Sequence, residues 1–175
     1  MRRVNIVIAI CVHLTCQGIK LSDSQATDTP AVVKTPKGSV VRACWYFDEM
    51  TEGDIYACSV LAVTAHPNAN FKEPASRTYN CHAYAWYVSE GGENVWMGYL
   101  DPSAEDVYWT DGSYFEVTSE DVNGWVVAEK VGYPNGNHSA VTTTVVGTYK
   151  SKWGAWPLME HSKADCPYNS TGLKY

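Results

Sequence analysis

Cys81 and His82 stand side by side in "YNCHAYAWYVS" (residues 79–89), after an asparagine and ahead of a run of tyrosine and tryptophan. A thiol becomes a working nucleophile when its thiolate is stabilised, and a helix N-terminus does this through unpaired N–H groups and the helix dipole. Asn80 is suited to cap such a helix. An imidazole within hydrogen-bond reach would complete the pair. His82 is poorly placed for that role, because neighbouring residues on a helix point about 100° apart. His138 is the better candidate, since it opens the strand-like "HSAVTTT" with small Ser139 and Ala140 beside it. Ser151, in "SKWG", falls on what would be the adjoining strand, where a polar side chain can orient an imidazole from behind. Cys81, His138 and Ser151 thus read as nucleophile, base and orienting residue. The oxyanion and substrate candidates are the Cys81 backbone N–H and the side chains of Asn80, His82, Trp153 and His161.

Several elements must position these residues. "SVVRACWYF" is rich in β-branched and aromatic residues and predicts a strand. "GDIYACSVLAVTAH" fits either a strand or a short helix, and the prolines of "HPNANFKEPAS" interrupt regular structure. From Asn80 to the stop at Gly91-Gly92 the spacing predicts a helix of about three turns. "DPSAED" can open a further short helix. "GWVVAEKVGY" predicts a strand, "PNGN" a turn and "HSAVTTTVVGTY" another strand, with "KSKWGAW" continuing the sheet after Gly147. The tail "PLMEHSKADCPYNSTGLKY" reads as irregular. A helix followed by several strands implies an α+β domain with an antiparallel sheet.

The remaining cysteines and histidines bear other readings. The pairings Cys44–Cys58 and Cys81–Cys166 would staple the domain, and the second would abolish catalysis. The protein would then be a non-catalytic secreted module recognising a glycan or surface protein through its aromatic residues. Cys58, in "YACSVLA", is a rival nucleophile that lacks a histidine at a comparable distance, and Cys44 looks structural. Cys81, His138, His161 and Cys166 form a conceivable zinc set, yet no paired ligand spacing supports it, so neither metal nor cofactor is expected. His66 reads as solvent-facing. The carboxylates of "SAED" and "TSED" read as helix-start and turn residues, because nothing holds them at a glycosidase separation. Asn137-His-Ser and Asn169-Ser-Thr fit the glycosylation acceptor pattern.

Composition bounds the setting. The 175 residues, 45% hydrophobic, suffice for one domain with a sizeable core. "MRRVNIVIAICVHLTCQG" places two arginines before a short apolar run and reads as a signal peptide over residues 1–18. Residues 19–38 read as a polar spacer and 39–175 as a single catalytic-type domain. These features predict a secreted protein that is not stably inserted in a membrane, with cysteines in an oxidising compartment. The net charge of −6 and the lack of a basic stripe argue against nucleic acid as a partner. Seven tryptophans and twelve tyrosines suit either an aromatic core or contact with cell-wall polymers. A monomer is expected.

The order of helix-initial cysteine, strand-borne histidine and a polar residue on the next strand resembles the papain-like cysteine hydrolases of the NlpC/P60 and CHAP type. More closely, "NCHAYAWY", "YWTDGSY", "GNHSAV", "SKWG" and "DCPY" resemble secreted bacterial proteins that share an Asn-Cys-His-Ser/Ala-Tyr-Ala-Trp signature, over about Tyr79 to Tyr168. The wider resemblance implies a papain-like domain, its cysteine-bearing helix packed on an antiparallel sheet. It also implies hydrolysis of an amide bond in a peptide or in peptidoglycan. Cys81 would be the nucleophile and His138 the base. Ser151 departs from the histidine, asparagine, glutamine or acidic residue usual at the third position.

Overall fold

The computed structural model describes residues 28–46, 48–117 and 125–175. The expected signal peptide and residue 47 lie outside these residues, as do 118–124, which carry "TSED".

The domain is α+β, with two antiparallel sheets and few helices. The smaller sheet runs in the order β1 (Asp28–Lys34), β2 (Val40–Tyr46), β4 (Trp96–Met97). The larger runs β3 (Asn70–Glu73), β8 (Leu158–Ser162), β7 (Thr148–Lys152), β6 (Ser139–Thr142), β5 (Lys130–Gly132). The helices are α1 (Glu52–Ala65), α2 (Cys81–Trp86) and α3 (Asp106–Thr110).

Three departures from the sequence reading matter for the site. The segment taken as a spacer contributes β1, which pairs with all seven residues of β2. Its Pro30 is tolerated because β1 is an edge strand of its sheet. The tail taken as irregular contributes β8, which lies inside the larger sheet between β3 and β7. β3 itself forms in the proline-broken stretch that was expected to be irregular, because β8 supplies its hydrogen bonds.

α2 is also shorter than three turns. Tyr87 leaves helical geometry at φ −142°, a 3-10 turn follows over Val88–Glu90, and Gly91 takes a left-handed φ of +94°. Gly92 lies so close beneath Tyr87 that a Cβ there would meet its ring at 2.5 Å. What remains of α2 is almost wholly buried. Ala83 and Ala85 let its backbone approach β6 and β7, and Trp86 anchors it. The Trp86 ring meets Tyr108, Trp109 and Tyr114 at centroid distances of 5.3, 5.0 and 5.4 Å. These aromatic contacts bring α3 against α2, with the consequence for Glu105 described below.

Candidate active site

The cap at the start of α2 forms as its sequence predicts. Asn80 is extended, and its Oδ1 accepts from Ala83 N at 3.1 Å. The same oxygen accepts from Met97 N at 3.3 Å, while Nδ2 donates to the Met97 carbonyl at 2.7 Å. Asn80 therefore fixes the first turn of α2 to β4. Its Oδ1 and one Nδ2 hydrogen are thereby engaged in holding this turn.

This cap leaves Cys81 buried at the foot of α2 beside two imidazoles. Burial alone would raise the thiol pKa. The charge and hydrogen bonding of His82 and His138 outweigh it and hold Cys81 well below the usual thiol range. A helix of six residues has too little dipole to account for this, so the thiolate is stabilised by its histidines.

His138 precedes β6 and is fully buried, with the Tyr168 ring stacked on it at 3.8 Å and 6° and Tyr133 edge-on at 4.7 Å. Asn135 and Gly136, both at φ +62°, turn the chain tightly into this position. Burial pushes the His138 pKa down, against the pull of Cys81, so the ring is neutral near pH 7. Neither of its ring nitrogens makes a well-aligned hydrogen bond. The thiol is its electrostatic partner, in a contact looser than the ideal, as is common in sites without substrate.

His82 differs from its sequence reading. Although adjacent residues diverge on a helix, its ring reaches Cys81 and lies against Glu105, with Nδ1 2.5 Å from Oε2. Burial opposes protonation of His82. Cys81 and Glu105 together override it, and the His82 pKa lies well above the usual imidazole value. His82 is thus an imidazolium held between a thiolate and a carboxylate. Ser139 supports it: its hydroxyl donates to Glu105 Oε2 at 3.1 Å, accepts from Trp86 Nε1 at 3.2 Å and lies 3.0 Å from His82 Nδ1.

Glu105 is the residue that sequence reasoning missed. "SAED" reads as a helix start, and the aromatic run of α3 is the signal that this start is drawn toward α2. Ser139, noted for its small size, acts as a hydrogen-bonding hub.

The other candidates lie elsewhere. Ser151 is fully buried, but its hydroxyl is 2.8 Å from His161 Nε2 and accepts from Trp153 Nε1 at 3.1 Å, so it does not orient His138. β-strand alternation explains the difference, because Ser151 lies opposite Met159 and beside His161 on β8, a strand not foreseen. Trp153 is buried and packs against His66 and His161, away from the Cys81–His82–Glu105 group. His161 is also buried rather than a tail residue, and burial lowers its pKa to about 4. His66, read as solvent-facing, lies edge-on to Trp153 at 4.8 Å. No disulfide joins Cys44 to Cys58 or Cys81 to Cys166. Burial pushes the Cys166 thiol up to about 11, so it is neutral where Cys81 is ionised.

Lys152, which would oppose a protonated His138 if it faced the ring, is fully buried, with its ammonium held by backbone carbonyls and within the electrostatic reach of Cys81. Its Nζ donates to the carbonyls of Ser76, Gly154 and Trp156 at 2.9, 2.9 and 2.5 Å, and lies 4.9 Å from the Tyr79 ring centre.

Comparison of the chain with protein-family models, with curated proteins and with solved structures gives no match.

Proposed function

We propose that this protein is a secreted cysteine hydrolase of amide bonds, acting on a peptide or on bacterial peptidoglycan. The observation that carries the reading is the buried Cys81 sulfur beside two imidazoles, one of them held by Glu105, an arrangement that pulls the thiol pKa down and the His82 pKa up. A structural cysteine has no need of such surroundings, and perturbed groups of this kind concentrate at reactive sites.

In the proposed cycle the Cys81 sulfur attacks the amide carbonyl carbon, and the carbonyl electrons move to oxygen. As the C–N bond breaks, His82 gives its proton to the leaving amine. His82 suits this step because its side chain keeps 14% exposure, whereas His138 has none. Gly98 lies beside this ring, where a Cβ would stand 3.5 Å from it. Water then attacks the thioester. Neutral His138 is the base that accepts the water proton, the thiolate leaves with the S–C electrons, and the proton returns to His82. The Cys81 backbone N–H remains the oxyanion donor in this scheme.

The test is hydrolysis of cell-wall peptides and peptidoglycan by the purified protein, with Cys81→Ala, His82→Asn and His138→Asn beside it. Cys81→Ala should abolish turnover, and each histidine change should lower kcat by roughly 10²- to 10⁴-fold, the usual weight of an acid–base group. Turnover that survives Cys81→Ala refutes the reading. A non-catalytic binding domain, the alternative reading, would turn over none of these substrates.

A further inference from the structure

Beyond Cys81 a second group of side chains converges. One ligand atom each from His138, His161 and Cys166 lies within 4.8 Å of the others, and both histidines are buried. Two further observations point to a ligand here. Both His138 ring nitrogens are fully buried without a well-aligned hydrogen bond. The Cys81 thiol, in loose contact, can serve only one of them, so the other is left without a partner, an expensive condition for an imidazole in a packed interior. The tautomer of His161 is also fixed by its surroundings. Its Nδ1 lies 2.9 Å from the Ser162 carbonyl, which only accepts, so Nδ1 carries the proton and Nε2 the lone pair. Anchoring one ring nitrogen on a backbone carbonyl is how histidine ligands are commonly oriented.

We propose that His138, His161 and Cys166 form a binding site for a borderline divalent cation of the zinc class. Two imidazoles and a thiolate are the donor set such ions prefer, with the fourth tetrahedral position left for water or another ligand. Binding exchanges the Cys166 S–H proton for the metal and releases it to solvent. His161 Nε2 exchanges the Ser151 hydroxyl, now 2.8 Å away, for the metal. Oxygen-preferring calcium and magnesium are poor matches for these donors. The site does not depend on the hydrolase reading. If that reading holds, a metal on His138 takes the base away from Cys81, and the ion is an inhibitor.

Cobalt(II) tests this on the full chain, because a thiolate on cobalt gives an intense charge-transfer absorption. Titration of the reduced protein should reach saturation at one cobalt per chain, and zinc should reverse it. The band should persist in Cys81→Ser and vanish in Cys166→Ser, while His161→Ala should weaken binding at least tenfold. Far-ultraviolet circular dichroism checks each variant for folding. Should Cys166→Ser unfold, metal-dependent protection of Cys166 from alkylation in the unmodified chain gives the same answer. Absence of the band in the unmodified protein, or its loss in Cys81→Ser, overturns the proposal. A metal-binding result stands even if no amide is hydrolysed, so the two readings fail separately.

Discussion

Replacing Glu105 by glutamine probes the site most directly. The change keeps the side-chain length and an oxygen for Ser139 and His82, and removes only the charge 2.5 Å from His82 Nδ1. Trading a charge-assisted hydrogen bond for a neutral one costs roughly 1–2 kcal/mol. Because a tenfold change corresponds to about 1.4 kcal/mol, the thiolate–imidazolium form should fall about five- to thirty-fold relative to the neutral pair. The sign follows from the lowered Cys81 pKa and the raised His82 pKa. Weakening the imidazolium moves the thiolate onset toward higher pH and the loss of the His82 proton toward lower pH. Ultraviolet thiolate absorbance, taken as the difference between each protein and its Cys81→Ser counterpart with a chelator present, reads this without requiring access to the sulfur. An onset in Glu105→Gln equal to that of the unmodified protein, or at lower pH, would falsify the view that Glu105 supports the Cys81–His82 pair.

Ser151→Ala should leave thiolate titration and turnover nearly unchanged, yet cost about 1–3 kcal/mol in denaturant unfolding, because it strands the buried Trp153 Nε1 and His161 Nε2. A hundredfold loss of kcat at unchanged stability would instead make Ser151 part of the chemistry. Lys152→Met should destabilise by at least about 3 kcal/mol, since it leaves three carbonyls without their donor; equilibrium unfolding would contradict this with a loss below about 1 kcal/mol. Burial pushes Lys152 down to about 7 from 10.5. Between those values the unfolded chain binds more protons, so this residue makes stability rise with pH. A pH series of urea midpoints should show that rise flattened in Lys152→Met, and identical slopes in the two proteins would contradict it. Asn80→Ala should cost about 1–2 kcal/mol through loss of the cap and loosen β4, seen as faster amide exchange at Met97; unchanged exchange would mean that Asn80 does not tie β4 to α2.

The sequence shows the site where chemistry is local. Asn80 as cap, Cys81 as the first residue of α2 and His138 after a tight turn all follow from residue types within a few positions of one another. What it hides is non-local. Glu105 reaches His82 only because aromatic rings on α3 pack around Trp86, and nothing in "SAED" announces that contact. The angular rule set His82 aside because it considers helix direction but not the reach of an imidazole at the first turn. Ser151 was placed on the correct strand, but its neighbour was invisible until β8 was known. "LMEHS" hides as a strand because charged and ring residues share it with apolar ones, and its position between β3 and β7 makes up for a weak pattern. Pro30 similarly masks β1, whose Ala31 and Val33 supply the buried side.

The position of β8 has a consequence for how the protein comes into being. α2, with Cys81 at its start, lies about midway in the sequence. The larger sheet is completed only when residues 158–162 insert between β7, which directly precedes them, and β3, laid down long before. Contacts of such long sequence separation form late and slowly. Tyr168, which covers His138, arrives later still. A chain not yet synthesised through His138 therefore lacks one of the two imidazoles that lower the Cys81 pKa, and that imidazole gains its Tyr168 cover only when the last segment is in place.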